Sequence, residues 1–414
     1  INVLYTKYPL HFDGETAEGF DGVRKAFQQN FLDGWEAEGA SLAVYVKGQK
    51  VVDLWGGYAD KHAARKWKKD TLSVVFSCTK AVAAVCIAVL ADRGRLSYDD
   101  LVSKHWPGFA KNGKENITIE WVMSHMSGLP YLDTIITEDM ATDHHRMRKV
   151  LEEEKPKFTP GMSSGYHALT YGWLVDQIVR HTDDKKRSIG QFLREEITGP
   201  NDCIPLPNFS FDVDVNSFNL SQDYRVARIS LPGTMDLISE MWSSKHVLLR
   251  FFHFMTSKTN IAFHSVYSNW SLNGLLPHCL WEMFFGVSLQ FTAELSSLNR
   301  TFQAEEIFQL VTGQLVSEKM LSFLERPVVN ETDYVINAQI TKGHGFFYAP
   351  IERGKDSRLV HHSGHGCQQI TFDIRKQVVI AYVTNALKMG HFDSCRNYWR
   401  IHKAVYDIVE KSSN

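Results

Sequence analysis

One Ser-x-x-Lys occurs in the chain, Ser77-Cys78-Thr79-Lys80. Its setting gives the spacing a meaning. Val74, Val75 and Phe76 make an apolar, strand-like approach to Ser77. From Ala81 an apolar run of good helix formers continues to Ala91, and Asp92, Arg93 and Gly94 close it. A Gly just past the last periodic residue is a helix stop. Ser77 is therefore expected in the first turn of a buried helix, with its hydroxyl and backbone N–H at the positive end of the dipole. Lys80 falls one turn on, on the same face. A buried amine loses part of its proton affinity and can then help deprotonate the serine. The plainer reading is a cap followed by a solvated lysine. A charged lysine opening so apolar a helix is otherwise unwelcome.

Two further stretches could complete such chemistry. Gly165-Tyr166-His167-Ala168 follows a Pro-Gly loop, at the expected start of a helix over 166–181. Tyr166 could present its phenol to a cleft, and near a cationic Lys80 its pKa is expected to fall, making it a proton shuttle. The plainer reading is a core or rim tyrosine. Leu359-Val360-His361-His362-Ser363-Gly364-His365-Gly366 has small residues on an apparent strand. Such an edge lets a substrate lie close, and its N–H groups can make half of an oxyanion site. His361, His362, His365 and Cys367 also invite a metal. Neighbours on a strand point to opposite faces, and no His-Glu-x-x-His completes a zinc site, so no metal or other cofactor is expected. Gly161-Met162-Ser163-Ser164-Gly165 matches the G-x-S-x-G elbow, which needs a buried strand just before it. The preceding Lys155–Pro160 stretch has two prolines and two lysines, so Ser163 is read as accidental.

The elements that must hold these residues come from both chain ends. An amphipathic helix is expected over 17–34. Strands over 41–47 and 50–55 join in a hairpin at Gly48-Gln49, and Gly56-Gly57 ends the second. Helices follow over 119–126, with Thr118 as cap, and over 147–155. Residues 201–300 show no steady periodicity. Helix returns over 304–324, then strands over 345–349, 359–362, 369–373 and 378–384, and a closing helix over 392–410. The expected fold class is α/β (α+β): an antiparallel β-sheet flanked by helices and built from both chain ends, with a mostly helical lobe inserted. Residues 1–95 with 335–414 form the α/β lobe. Residues 96–334 form the helical lobe, with a variable segment at about 235–300, and the site lies between the two.

The chain has 414 residues, 44% hydrophobic and 22% charged, with a formal net charge of −2. That is ample for a large core and gives no electrostatic footprint for nucleic acid. The longest clean apolar run, 81–91, is too short to span a bilayer. The chain starts at Ile1, so it reads as a mature form, a fragment or a trimmed chain, and a signal peptide would be out of view. Six Asn-x-Ser/Thr sequons, at Asn116, Asn208, Asn219, Asn269, Asn299 and Asn330, favour a secretory route and a glycoprotein. Cys78 and Cys86 fall inside the apolar helix and read as packed free thiols. One or two disulfides are open to the other four cysteines, with no pairing readable.

With these stretches in view, the chain resembles the serine β-lactamase and penicillin-binding-protein superfamily. It looks closest to the class C β-lactamase-like branch of esterases, D-aminopeptidases and animal β-lactamase-domain proteins. The likeness runs through Gly39–Asp60, Phe76–Lys80, Trp121–Pro130, Pro160–Val175 and Lys342–Thr384. The resemblance implies an α/β lobe plus a helical lobe. It implies Ser77 as nucleophile, Lys80 as its activating partner and Tyr166 as the tyrosine of the Tyr-x-Asn motif. His362-Ser363-Gly364 stands where Lys-Thr-Gly is usual, and the oxyanion donors would be the backbone N–H groups of Ser77 and His365. Two departures matter: Ala168 replaces the motif Asn, and His362 replaces a permanent cation. The expected function is a serine hydrolase forming an acyl-enzyme on a small-molecule ester, amide or peptide, most simply an esterase/amidase. A β-lactamase or D-amino-acid peptidase is the alternative, and a non-catalytic, polymer-forming scaffold is a second.

Overall fold

The computed structural model describes residues 8–199, 224–230, 297–298, 307, 309–349, 358–388 and 395–412. The variable segment expected at about 235–300 lies outside them except for 297–298. Twelve strands and ten α-helices are followed here, in chain order: β1 (Phe12–Thr16), α1 (Asp21–Leu32), β2 (Gly39–Val46), β3 (Gln49–Asp60), β4 (Arg65–Lys66), β5 (Ser73–Val74) and α2 (Thr79–Asp92). Then come α3 (Val102–His105), α4 (Ile119–Met123), α5 (Glu138–Thr142), α6 (His144–Glu153), α7 (Thr170–Thr182), α8 (Ile189–Leu193), β6 (Ser297–Leu298) and α9 (Glu318–Leu324). The C-terminal part adds β7 (Val329–Thr332), β8 (Gln339–Gly343), β9 (Phe346–Tyr348), β10 (Val360–Gly364), β11 (Gln368–Asp373), β12 (Val378–Thr384) and α10 (Arg396–Lys411).

The main sheet has the order β1-β3-β2-β12-β11-β10-β9-β8-β7, with β4 off β3. All its pairings are antiparallel. The seam that joins the two chain ends is β2 on β12, where Val378 to Thr384 run against Val46 to Ala40. A sheet from both termini is thus the observed architecture.

The alternation of a pleated strand sorts the core. Leu42 and Val44 of β2 and Ile380 and Tyr382 of β12 point to one face, where α1 and α10 pack with Phe27, Phe31, Tyr398 and Ile401. Ala43, Tyr45, Val379 and Ala381 point to the other, against α2. Helix α2 is buried around nearly its whole circumference, from Ala81 to Leu90. An apolar helix with no polar face belongs inside a protein, and helices α4, α7 and α8 cover it on the side away from the sheet.

Several expected boundaries move. The β2–β3 turn falls at Lys47-Gly48, with φ of 45° and 92°, the left-handed pair that matches strand twist. Strand β3 runs through Gly56-Gly57 to Asp60 instead of ending there. A Cβ on Gly57 would stand 1.9 Å from the Glu38 carbonyl oxygen, so these glycines admit a close backbone and do not stop the strand. Helix α4 stops at Met123 and α10 starts at Arg396. Strands β1, β7 and β8 were not expected.

Candidate active site

Ser77 sits in a 3₁₀ turn, Phe76–Cys78, that runs straight into α2. Strand β5 delivers the chain to it, and Phe76 adopts φ 49°, a left-handed conformation uncommon for an aromatic residue. Val75 and Phe76 are buried, while Ser77 and Lys80 keep partial solvent contact. Lys80 Nζ lies 3.1 Å from Ser77 Oγ and donates to it. Burial lowers the Lys80 amine from its ordinary 10.5 to about 7. The expectation that spacing and an apolar helix would give a desolvated amine on a serine is met in geometry.

Tyr166 comes to the same point. Lys80 Nζ is 5.1 Å from the centre of its ring and 6.0 Å from that of Tyr171. Two expectations about Tyr166 are corrected. It does not open a helix: α7 begins at Thr170, and Tyr166 lies in the turn before it. Its phenol does not become more acidic: burial raises its pKa, against the opposing pull of a hydrogen bond with Ser77. The cation expected to lower it is itself suppressed by the same burial.

The turn carrying Tyr166 is clamped by residues distant in sequence. Asp333 accepts the Tyr166 N–H at 3.1 Å and those of Val335 and Ile336 at 2.9 and 2.8 Å, and it pairs with the buried Lys342 ammonium. His125, at φ 62°, accepts the His167 N–H on Nδ1 at 3.1 Å, and its carbonyl accepts the Gly165 N–H at 2.9 Å. The His167 ring donates from Nδ1 to the Gly165 carbonyl and accepts the Leu129 N–H on Nε2 at 3.2 Å. Burial holds His125 well below the usual imidazole range and His167 at about 3, so both are neutral. Sequence reading missed Asp333 and His125. The only local sign was an Asp opening a turn, where its carboxylate caps the N–H groups two and three residues on.

The third stretch forms β10 and the turn after it. The Cys78 thiol donates to the His362 carbonyl at 3.3 Å, tying β10 to the start of α2. A Cβ on Gly364 would stand 2.2 Å from the Val75 carbonyl oxygen, so only glycine lets the strand come this close. Ser363 and Gly364 belong to the strand, and His365 begins the turn beside the Phe76 ring, at 5.5 Å between centroids. His362 is fully buried, stacks on Phe347 at 4.6 Å and lies 6.4 Å from the Tyr166 ring. Its Nδ1 donates to the Ser363 carbonyl at 3.0 Å. Burial, with the nearby Lys80 charge second, holds its pKa well below the usual range.

Ser77, Lys80, Tyr166 and the 362–365 stretch therefore converge. Ser163 does not join them in any described contact, and Gly161 beside it sits against the Trp121 ring. Cys78 and Cys86 are buried free thiols, as expected. Cys367 and Cys395 form a disulfide that sequence could not pair. Cys203 and Cys279 lie outside the described residues.

Residues 27–227 match the Beta-lactamase family model. A stretch of 186 residues is 39% identical to the esterase/beta-lactamase LipL of Mycobacterium tuberculosis, covering 44% of this chain and 42% of that protein. A stretch of 169 residues is 28% identical to Protein flp of Staphylococcus aureus, covering 39% of this chain and 33% of that protein. The chain thus spans less than half the length of the curated relatives it matches. Among solved structures, it is similar to a family VIII carboxylesterase at TM-score 0.75 and 24% identity, covering 96% of this chain and all of that one. It is also similar to a penicillin-binding-protein homologue from Caulobacter crescentus at TM-score 0.71 and 27% identity, with 96% and 100% covered.

Proposed function

Because the chain carries a Beta-lactamase domain over 27–227 and the serine β-lactamase and penicillin-binding-protein fold, we propose that it is a serine hydrolase working through an acyl-enzyme on Ser77, most simply an esterase or amidase. The observation that carries this is the 3.1 Å approach of a desolvated Lys80 amine to Ser77 Oγ. With its pKa near 7, about half of that amine is neutral at physiological pH and can take the hydroxyl proton as Oγ attacks a carbonyl carbon. The oxyanion is met by the backbone N–H groups of Ser77 and His365. Tyr166, kept protonated by burial, is the donor to the departing alkoxide or amine. Water then attacks the acyl carbon, and Ser77 leaves with its proton restored. Lys80 is thus the acylation base in this reading, and Tyr166 relays.

The substrate belongs to the uncharged esters and amides. Where a lysine would offer a permanent cation to a carboxylate, His362 offers a neutral ring already donating to Ser363. Ala168 offers no amide. The division into an α/β lobe (1–95 and 335–414) and a helical lobe (96–334) belongs to this reading, as does glycosylation at Asn116 and Asn330, whose side chains are exposed. No helix among the described residues is long and apolar enough to cross a membrane.

A fluorophosphonate probe tests the proposal. The parent should label on one peptide, the one holding Ser77. Ser77→Ala should abolish labelling, and Ser163→Ala should leave it. An adduct on Ser163 would assign the nucleophile elsewhere, and a folded parent that does not label would be a scaffold.

A further inference from the structure

The turn that follows β10 carries the His365 N–H and closes the β10–β11 hairpin, in which Gly364 pairs with Gln368. Gly366 and Cys367 take φ of 78° and 73° in succession. The second is a left-handed conformation that a residue with a Cβ rarely adopts. Groups outside the hairpin ladder also fix the turn. Gly366 sits against Leu387, where a Cβ would stand 2.4 Å from a methyl carbon. Gln368 clamps Thr384 with both ends of its amide, accepting the N–H at 2.9 Å and donating to the carbonyl at 2.7 Å. Cys367 is bonded to Cys395, which caps α10 on the far face of the sheet, with 5.7 Å between the Cα atoms. A thread of polar contacts runs alongside: Ser363 Oγ donates to Gln369 Oε1 at 2.9 Å, and Gln369 Nε2 lies 3.7 Å from Cys395 Sγ.

We propose that the Cys367–Cys395 bridge positions the oxyanion turn for catalysis. The bridge fastens a strained turn to a long helix whose apolar face is packed into the core through Tyr398, Ile401 and Val405. The helix is the anchor, and the His365 N–H is the group held. A donor misplaced by about 1 Å forfeits much of its hold on the developing oxyanion and loses little of ground-state binding. The cost of losing the bridge therefore falls on kcat and not on KM. Both cysteines are about 1% exposed, so a dithiol in solution does not reach the bond in the folded protein. The bridge is set when the chain folds in an oxidising compartment, and it is not a switch afterwards. Cys367 and Cys395 are positioning residues; neither touches the reacting atoms. This inference rests on the serine-hydrolase reading.

The test uses the full chain, made under oxidising conditions, with and without Cys367→Ala plus Cys395→Ala. The assay is p-nitrophenyl butyrate hydrolysis with kcat and KM separated, and folding is followed by thermal unfolding. The bridge-free protein should lose about 10- to 100-fold in kcat with KM within about threefold. If the double variant does not fold, the parent is folded with dithiothreitol present from the start. The dithiol takes the bond apart by exchange, giving two cysteine thiols and its own cyclic disulfide, and mass spectrometry counts the thiols. Activity should then track the fraction bridged and return only after unfolding and refolding under oxidising conditions. A folded bridge-free protein with the parent kcat, or one whose loss lies wholly in KM, overturns the inference and leaves the hydrolase reading intact. A parent that neither labels nor turns over ester overturns both.

Discussion

Replacing Lys80 with methionine should make the protein more stable and nearly inactive. The ordinary value of the amine is 10.5, and burial brings it to about 7. Between those pH values the unfolded chain holds a proton on Lys80 that the folded chain does not. Stability therefore rises with pH across that window, and the full cost is present below about pH 7. At about 1.4 kcal/mol per pH unit the gap corresponds to on the order of 5 kcal/mol. Residual solvent contact of the half-buried side chain reduces this to roughly 2–4 kcal/mol. Methionine has a similar length and no charge to desolvate. Urea unfolding at pH 7 should show Lys80→Met gaining about 2–3 kcal/mol over the parent, with the gain shrinking toward zero near pH 10.5. Ester hydrolysis should fall by about 10²–10⁴, the usual worth of a placed general base. In the parent, kcat/KM should rise about tenfold per pH unit below about 7 and level off above it. A variant less stable than the parent at pH 7, or a flat parent profile from pH 5 to 9, would show that Lys80 is an ordinary solvated lysine.

Three further outcomes follow from single contacts. Gly364→Ala puts a methyl on the Val75 carbonyl oxygen, which must push β10 away from the serine turn; kcat on p-nitrophenyl butyrate should drop at least about tenfold, and an unchanged kcat would remove Gly364 from the site. Asp333→Asn leaves the Lys342 ammonium buried without its counter-charge and should cost about 3–5 kcal/mol in urea unfolding; a loss below about 1 kcal/mol would mean the pair is replaceable. His362→Lys should raise kcat/KM for nitrocefin relative to p-nitrophenyl butyrate by about tenfold, the worth of one hydrogen bond to a carboxylate; an unchanged ratio would sink the argument from charge.

Strong local patterns told most of what the sequence could tell. The residues of α2 are apolar on every side, and that forced a buried helix with Ser77 and Lys80 at its entrance. The strands β2 and β12 were legible because both their faces are apolar, which is what a strand between two helical layers requires. Strands β1 and β7 were not, because FDGET and VNET alternate only between partly and fully exposed positions. Such edge strands are recruited by the partner they pair with and have little pattern of their own. The start of α7 was misjudged because the helical period runs back through Tyr166. The backbone there is instead claimed by Asp333 and His125, residues that no spacing rule connects to it. The disulfide was invisible for the same reason: a separation of 28 residues carries no signature.

What sets the reactivity of Lys80 is burial, and the surrounding residues are consistent with that cause alone. A lysine at position 362 would have repelled the Lys80 charge and helped lower its pKa. The histidine there is neutral, as are His125, His167 and His361, the last held at about 3 by burial. The other buried amine near the site, Lys342, is tied to Asp333. The rings of Tyr166 and Tyr171 even favour the ammonium form, but a cation–π contact contributes only about 0.5–2 kcal/mol, less than the desolvation it opposes. Desolvation therefore wins, and because it does not act through a distant charge, salt screens it little. The low pKa of Lys80, on which the proposed base rests, therefore does not depend on a cation at position 362. What a neutral ring at 362 lacks is a handle for a carboxylate, and this is the ground on which the proposed acyl transfer is assigned to uncharged substrates.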